Sequence, residues 1–360
     1  MARFRKATIK DVALHAGVST TTVSYFVSGR HSVCSAETAE KIRTAVDRLH
    51  YTPSSLVSGM QKHVRDSIGI NLLSPTDAEL KYGTFFFQGL WNGIYDQLDK
   101  EDYSSLRYQA SVRDSDSCDA FIDGRVDGIL FHAHSNDNKR PARIASAGMP
   151  IVLLTRSRDI PNGCGAVYVD EDEVVNIALT HLWSLGHRRI AHIAGPINDT
   201  GTEVGIADDI AIWRMRAYEA WMAQAGISAK YVEPAISWDG TGVADIIDAW
   251  NDGPDRPTAI FCANDRIAVV AMDRATQLGW SLPCELSIVG VDNDEIAIRA
   301  AVPLTTIEVP IERVGQMAVK LLVNMIKGTS TKGDCLPISG SRLIVRESTK
   351  AYSDNVGIEK

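Results

Sequence analysis

The chain has 360 residues, enough for two or three domains that each bury a core, and is 45% hydrophobic and 23% charged. No apolar run approaches the roughly 20 residues of a membrane span. The charged start MARFRKATIK is followed by no apolar stretch or small-residue cleavage site, so a cytoplasmic protein is expected. The net charge of −8 is unevenly spread: residues 1–65 hold ten Lys or Arg against four Asp or Glu, a net of +6, which leaves −14 for the rest. A basic head on an acidic body suits a small module that meets a polyanion. The six cysteines (Cys34, Cys118, Cys164, Cys262, Cys284, Cys335) are far apart, with no C-x-x-C pair and no histidine at zinc-ligand spacing. Reduced thiols and no structural metal are expected.

From Thr8 the chain reads TIKDVALHAGVSTTTVSYFVSG. Ile9, Val12, Ala13 and Ala16 form a helical apolar stripe, and Thr8 with Asp11 makes a capping box in which Asp replaces the usual Glu. Gly17 permits the turn, Ser19 caps a second helix and Val18 can staple onto Val23. With Val23, Phe26 and Val27 facing inward, Thr20, Thr21, Ser24 and Tyr25 are left outward near the helix start. Gly29 ends this helix and Ser35 caps a third, whose stripe is Ala39, Ile42, Ala45, Val46 and Leu49. This spacing predicts a helix-turn-helix whose second helix enters the major groove, with Thr20, Thr21 and Tyr25 as base contacts. Ser19, Thr22 and Ser35 at helix starts, helped by Arg30 and His31, are the expected phosphate contacts. A plain three-helix bundle with a solvated basic face fits the same pattern.

These positions resemble the lactose-repressor (LacI/GalR) family of bacterial transcription regulators: Ile9, Asp11, Val12, Ala13, Ala16, Val18, Ser19, Thr22, Val23, Phe26 and Val27 match its N-terminal signature. Tyr25 departs from it, standing where many members have Arg, and Tyr cannot reproduce the bidentate fork to guanine. The next segment, TPSSLVSGMQKHVRDS, contains Pro53 and Gly59 and has weak apolar spacing at Leu56, Val57 and Met60. The resemblance implies a hinge helix there that orders on DNA. Met60 stands at the leucine that wedges into the minor groove, and Val57 and Met60 join the DNA-binding candidates.

Beyond residue 66, eight apolar runs (SIGINLL, VDGILFHA, MPIVLLT, AVYVD, RRIAHIAG, TAIFCAN, LSIVGVD, LTTIEVP) alternate with helical segments near 84–101, 172–186, 207–226, 243–252, 265–280 and 312–327. Strands separated by single helices predict parallel sheets with ligands at the strands' carboxyl ends. The segments FFFQGLWNGI, LWSLGHRRIAHIAGP, PTAIFCAND, SIVGVDN and PLTTIEVPIERVGQMAV also resemble the family core. The expected fold is an N-terminal all-α helix-turn-helix domain plus an α/β two-lobed core like the periplasmic binding proteins, with parallel sheets flanked by helices. The expected boundaries are 1–52 for the head, 53–65 for the hinge, 66–346 for the effector-binding and dimerisation core, and 347–360 for a tail. Within the core, lobe one would hold 66–169 and 311–335, and lobe two 170–310 and 336–346.

The resemblance places Phe86, Phe87, Arg156, Arg214, Trp238, Asn264 and Asp292 at effector contacts. Thr155 stands where many members have Asp, and Ala217 replaces a common Gly. The chemistry is coherent: Asp292 and Asn264 can bind paired hydroxyls, Arg214 can fork a carboxylate or two ring oxygens, and aromatic faces can stack a sugar or base. His132 and His134, at a strand end, can reach a ligand as neutral hydrogen-bonding groups rather than as metal ligands. There is no P-loop, G-x-G-x-x-G, H-E-x-x-H or G-x-S-x-G motif, so no enzyme is expected and no cofactor. The expected function is a ligand-responsive regulator, most simply a repressor. It would bind a palindromic double-stranded operator as a homodimer, controlled by a sugar or related metabolite, without membrane association. The tail RESTKAYSDNVGIEK lacks the heptads of a tetramerising coiled coil. A small-molecule binding protein, or a sugar- or nucleoside-processing enzyme, is the competing reading.

Overall fold

The computed structural model describes residues 7–27, 34–49, 51, 65–72, 84–108, 117–132, 139–154, 160–197, 209–228, 231–253, 256–330 and 333–353. The chain divides into two compact units, Met1–Asp66 and Ser67–Lys360. The expected hinge, including Val57 and Met60, lies outside the described residues.

Among its described residues the first unit holds three helices: α1 (Ile9–Ala16), α2 (Thr20–Val27) and α3 (Ala36–Arg48). The capping box forms as expected. Asp11 N–H donates to Thr8 Oγ1, and Thr8 N–H donates to Asp11 Oδ2 at 2.8 Å. Gly17, at φ +67°, ends α1 in the left-handed conformation that glycine adopts without steric cost. Val12, Ala13, Ala16, Val23, Ile42 and Ala45 are buried together, with Val18, Phe26, Val27, Val46 and Leu49 packed around them.

The second unit contains two six-stranded sheets. The first has the order β11 (Cys335–Ile338), β5 (Gly165–Val169), β4 (Ile151–Leu153), β3 (Gly128–Phe131), β1 (Ser67–Asn71), β2 (Ser104–Arg107), all parallel. The second has the order β12 (Arg342–Ile344), β10 (Thr305–Glu308), β9 (Ser287–Val291), β8 (Ala259–Cys262), β6 (Ile190–Ala194), β7 (Val232–Pro234). Among its described strands, β12 alone pairs antiparallel, with Leu343 opposite Ile307. The interior strands read as continuous apolar runs because helices cover both faces of such sheets.

The connecting helices are α4 (Thr84–Glu101), α5 (Asp119–Ile122), α6 (Lys139–Ser146), α7 (Glu171–Ser184), α8 (Asp209–Gln224), α9 (Val243–Asp252), α10 (Asp265–Gln277), α11 (Glu295–Arg299) and α12 (Ile311–Ile326). Helix α12 packs on β3, β4 and β5 and lies against α4 so closely that glycine is required at the contact. A Cβ on Gly93 would lie 2.0 Å from the Glu312 carbonyl oxygen, and one on Gly315 would lie 2.5 Å from that of Leu90.

The chain passes between the sheets three times: from β5 into α7, from β10 into α12, and from β11 to β12. Because β11 runs to Ile338 in the first sheet, the third crossing is residues 339–341, beyond the 335/336 boundary read from the sequence. The crossings are tied together. Ser339 Oγ bonds to Asp170 Oδ2 at 3.1 Å, while the N–H groups of Gly340 and Ser341 donate to Glu173 Oε2 at 2.8 and 2.9 Å. The expected tail begins inside lobe two: Ser348 is buried, its Oγ donates to Ile288 O and accepts from Thr305 N–H, and Tyr352 N–H donates to Leu185 O.

Candidate functional site

Two regions carry chemistry. In the first unit, α2 begins on a hydroxyl cap: Ser19 Oγ accepts the Thr22 N–H at 3.0 Å and lies 2.8 Å from Thr22 Oγ1. Thr20, Thr21 and Tyr25 are exposed, Thr22 and Ser24 are half-buried, and Val23 is in the core, so the sequence places the expected base-reading side chains on one outward patch. The first turn of α2 has no acidic residue, whereas the first turns of α1 and α3 hold Asp11 and Glu37. An anion placed at that helix start would therefore meet its amide groups and dipole without a competing carboxylate. Ser35 caps α3 in the same manner, accepting the Thr38 N–H at 3.2 Å and bonding to Thr38 Oγ1 at 2.9 Å. Arg30 and His31 lie outside the described residues.

In the second unit, residues from both lobes meet at the crossings. One cavity is lined by Phe86, Leu154, Tyr168 and Val314 of lobe one and by Glu171, Ile210, Trp213 and Arg214 of lobe two, with Val169, Val309 and Ile311 at the crossings. The adjoining cavity is lined by Phe86, Ile210, Arg214, Trp238, Asn264 and Asp292. Each is small, about 30 Å³, well below the size of an ordinary small-molecule site.

The site residues differ in what they are free to do. Arg214 is 4% exposed, and its guanidinium is already committed: Nε donates to Glu171 Oε2 at 2.7 Å, Nη2 lies 2.6 Å from the same oxygen, and Nη1 donates to Ala263 O. Asn264 was expected to bind hydroxyls, and it instead caps α10, with Oδ1 accepting the Ile267 N–H at 2.8 Å and Nδ2 donating to Trp238 O at 2.9 Å. It therefore positions the cleft aromatic and retains one amide hydrogen for a ligand. The Trp238 ring lies over Gly195, where a Cβ would come within 2.5 Å of it, so glycine at the end of β6 lets the indole reach the cleft.

Asp292 faces both the cleft and the outer groove beside α12. Its backbone, at φ +103°, is in a region that side-chain-bearing residues rarely adopt, and such strain concentrates at functional positions. Burial pushes its carboxyl up to about 7, opposed by the charge of Arg214 and reinforced by Glu171 and Asp294. Behind it, Asp265 is fully buried and accepts from the Asp294 N–H at 2.8 Å and from Thr306 Oγ1 at 2.6 Å, bracing the loop that carries Asp292.

Phe87 and His132 line neither of these two cavities. Successive residues on a helix point about 100° apart, so Phe86 lines the cavity while Phe87, 2% exposed, enters the lobe-one core and meets Phe86 edge-on at 5.7 Å. His132 packs against Phe87, with ring centroids 6.4 Å apart. Arg156 and His134 lie outside the described residues. Sequence reasoning missed Glu171, Trp213 and Ile210; an acid in the first turn after AVYVD is an ordinary helix start, and only the fold aims it at Arg214. Among the described residues, no group of three or more His, Cys, Asp or Glu is placed to hold a metal, and no helix is long and apolar enough to cross a membrane.

Comparison with known proteins agrees with both regions. Residues 8–54 match the model of bacterial regulatory proteins of the lacI family, and residues 179–349 match the periplasmic binding protein-like domain. The HTH-type transcriptional repressor PurR of Vibrio vulnificus (strain CMCP6) is 30% identical over 329 residues, covering 89% of this chain and 92% of the relative. The ribose operon repressor of Escherichia coli (strain K12) is 27% identical over 326 residues, covering 89% and 93%. The lac repressor dimer bound to operator and the anti-inducer ONPF superposes with a TM-score of 0.75 at 24% identity, covering 96% of this chain and all of that one, which shows the shared fold. A helix-turn-helix head followed by a two-lobed core, at 30% identity across 92% of a repressor, establishes that the chain belongs to the lacI family of bacterial regulatory proteins.

Proposed function

We propose that the protein is a ligand-responsive transcriptional repressor that binds a roughly palindromic operator as a homodimer. Its operator affinity is set by a small molecule, a sugar or related metabolite, held between the two lobes. The observation that carries this is the pairing, in one chain, of an acid-free, hydroxyl-capped recognition helix with a cleft built across three interlobe crossings. Thr20, Thr21 and Tyr25 would read base edges; Ser19, Thr22 and Ser35, with Arg30 and His31 nearby in sequence, would hold phosphates; and Val57 and Met60 would enter the minor groove. The relatives' names support the class: one is an HTH-type transcriptional repressor, PurR, and another a ribose operon repressor.

The mechanism is a population shift. Effector in the cleft favours one arrangement of the lobes, the segment 53–65 transmits it to the heads, and effector and operator exclude or reinforce one another according to which arrangement each prefers. The protein acts without catalysis, in the cytoplasm. The test is fluorescence-anisotropy binding to a panel of palindromic duplexes at fixed salt, with ribose, cellobiose, purine bases and nucleosides added in turn. Specific binding altered at least about tenfold by one compound is the expected result. Binding no tighter than to random DNA, or turnover of the compound that binds, would overturn the proposal.

A further inference from the structure

The interlobe cleft holds a charge arrangement that specifies the class of its ligand. Among the described lining residues of the two cavities, Arg214 is the one cation, and Glu171 and Asp292 are the acids. Arg214 and Glu171 are each about 5% exposed and share a two-point contact at 2.6 and 2.7 Å, while the remaining Nη of Arg214 donates to Ala263 O. A guanidinium that fronts a cleft unpaired is a ready receptor for phosphate or carboxylate. Here its charge is already matched, and an incoming anion would have to sit beside Glu171 and Asp292 in a site shielded from water, where like charges repel strongly.

We infer that Glu171 is a specificity-determining residue: by neutralising Arg214 it closes the cleft to phosphorylated and carboxylated compounds and reserves it for uncharged, hydroxyl-rich ones. The unused N–H groups of Arg214 and the carboxyl of Asp292 still serve such a ligand, the first donating to ring or hydroxyl oxygens and the second accepting from hydroxyls. Phe86 and Trp238 supply apolar walls that carry no charge preference against a sugar face. The inference rests on the cleft being the effector site.

The test uses inorganic phosphate as the probe on the full-length protein without DNA, in a cycle of four proteins: wild type, Glu171→Gln, Arg214→Gln and the double variant. Saturable changes in tryptophan fluorescence and in Tm are followed as phosphate is added at constant ionic strength. Phosphate bound at the DNA-reading head would register equally in all four and cancel. Glu171→Gln keeps the shape and a hydrogen bond to Arg214 but removes the charge, so it should acquire a phosphate response at least about tenfold stronger than wild type. That response should vanish in the double variant. Glu171→Asp should restore the exclusion. No gain in Glu171→Gln overturns the inference. So does a wild-type response that disappears in Arg214→Gln, which is decisive even where Glu171→Gln fails to fold. Because this readout contains no operator, its failure leaves the repressor reading standing, and a failure of effector-controlled DNA binding leaves the phosphate cycle standing.

Discussion

His192 is sealed at the centre of lobe two, and its environment makes a sharp prediction at the scale of one side chain. The imidazole stacks between Phe261 and Tyr218, with centroids at 4.9 and 5.1 Å, and its Nδ1 hydrogen-bonds to Phe261 O at 2.9 Å. Burial holds its pKa down to about 3, with the nearby Arg214 charge acting the same way. The folded state therefore stays neutral where the unfolded chain takes up a proton, below about pH 6.5. Stability is full above that value and falls as the pH drops towards 3, by up to about 1.4 kcal/mol per pH unit for this one group. Urea denaturation of His192→Phe, compared with wild type at pH 7.5 and 5.5, should show a shallower acid loss; parallel curves would mean that His192 titrates normally. Asn264 teaches a related lesson. Its place in AND marks a residue of the cleft, yet the sequence does not reveal that its carbonyl caps α10 and its amide holds Trp238. Asn264→Asp preserves the cap acceptor and loses the donor. It should leave Tm within a few degrees of wild type while altering the tryptophan emission and weakening effector binding.

At the scale of elements, the start of α2 separates stability from recognition. Ser19→Ala removes the acceptor for the Thr22 N–H and should cost the head about 1 kcal/mol. Ser19→Asp keeps a good cap but places a carboxylate where an operator phosphate would sit. Thermal unfolding should report Ser19→Asp as near wild type and anisotropy should report it as weaker on DNA than Ser19→Ala; equal affinities would argue that no phosphate comes near. The α4–α12 contact is a second element-scale site. Gly315→Ala would push a Cβ to 2.5 Å from Leu90 O and 2.8 Å from Ile94 N, backbone atoms that cannot turn aside. A loss of about 1–3 kcal/mol is expected in chemical denaturation.

Elements also show which parts of the fold were legible. All eight apolar runs correspond to the eight interior strands, β1, β3, β4, β5, β6, β8, β9 and β10. The four strands that the pattern missed, β2, β7, β11 and β12, are the four sheet edges. Edges have one neighbour and more contact with solvent, so SSLR, VEP and RLI carry polar or charged residues and CLPI is broken by a proline; Pro234 and Pro337 are tolerated where an interior ladder would lose a hydrogen bond.

For the whole molecule, the division of charge predicts two different salt responses. The +6 of residues 1–65 is available to neutralise phosphates, so operator affinity should fall steeply as salt rises from 0.1 to 0.3 M, with a linear log–log slope reflecting several contacts. A cleft whose described cation, Arg214, is already paired should bind an uncharged effector with less than about twofold change over the same range. Comparable salt slopes for the two ligands would contradict this division.

Composition, periodicity and the N-terminal signature sufficed to determine the class of each domain, the interior strands and the longer helices, and the resemblance of the core named five of the residues that line the cleft, Phe86, Arg214, Trp238, Asn264 and Asp292. These are properties of local spacing, which a linear chain displays directly. Tertiary structure alone decided which cleft residues are free for a ligand. Glu171 and Arg214 are 43 residues apart, Asn264 and Trp238 are 26 apart, and Phe86 and Phe87 part company only because one helix face meets the cleft and the other the core. Whether a polar side chain is a receptor or is already satisfied depends on partners brought together by folding, and burial then makes the choice energetically decisive.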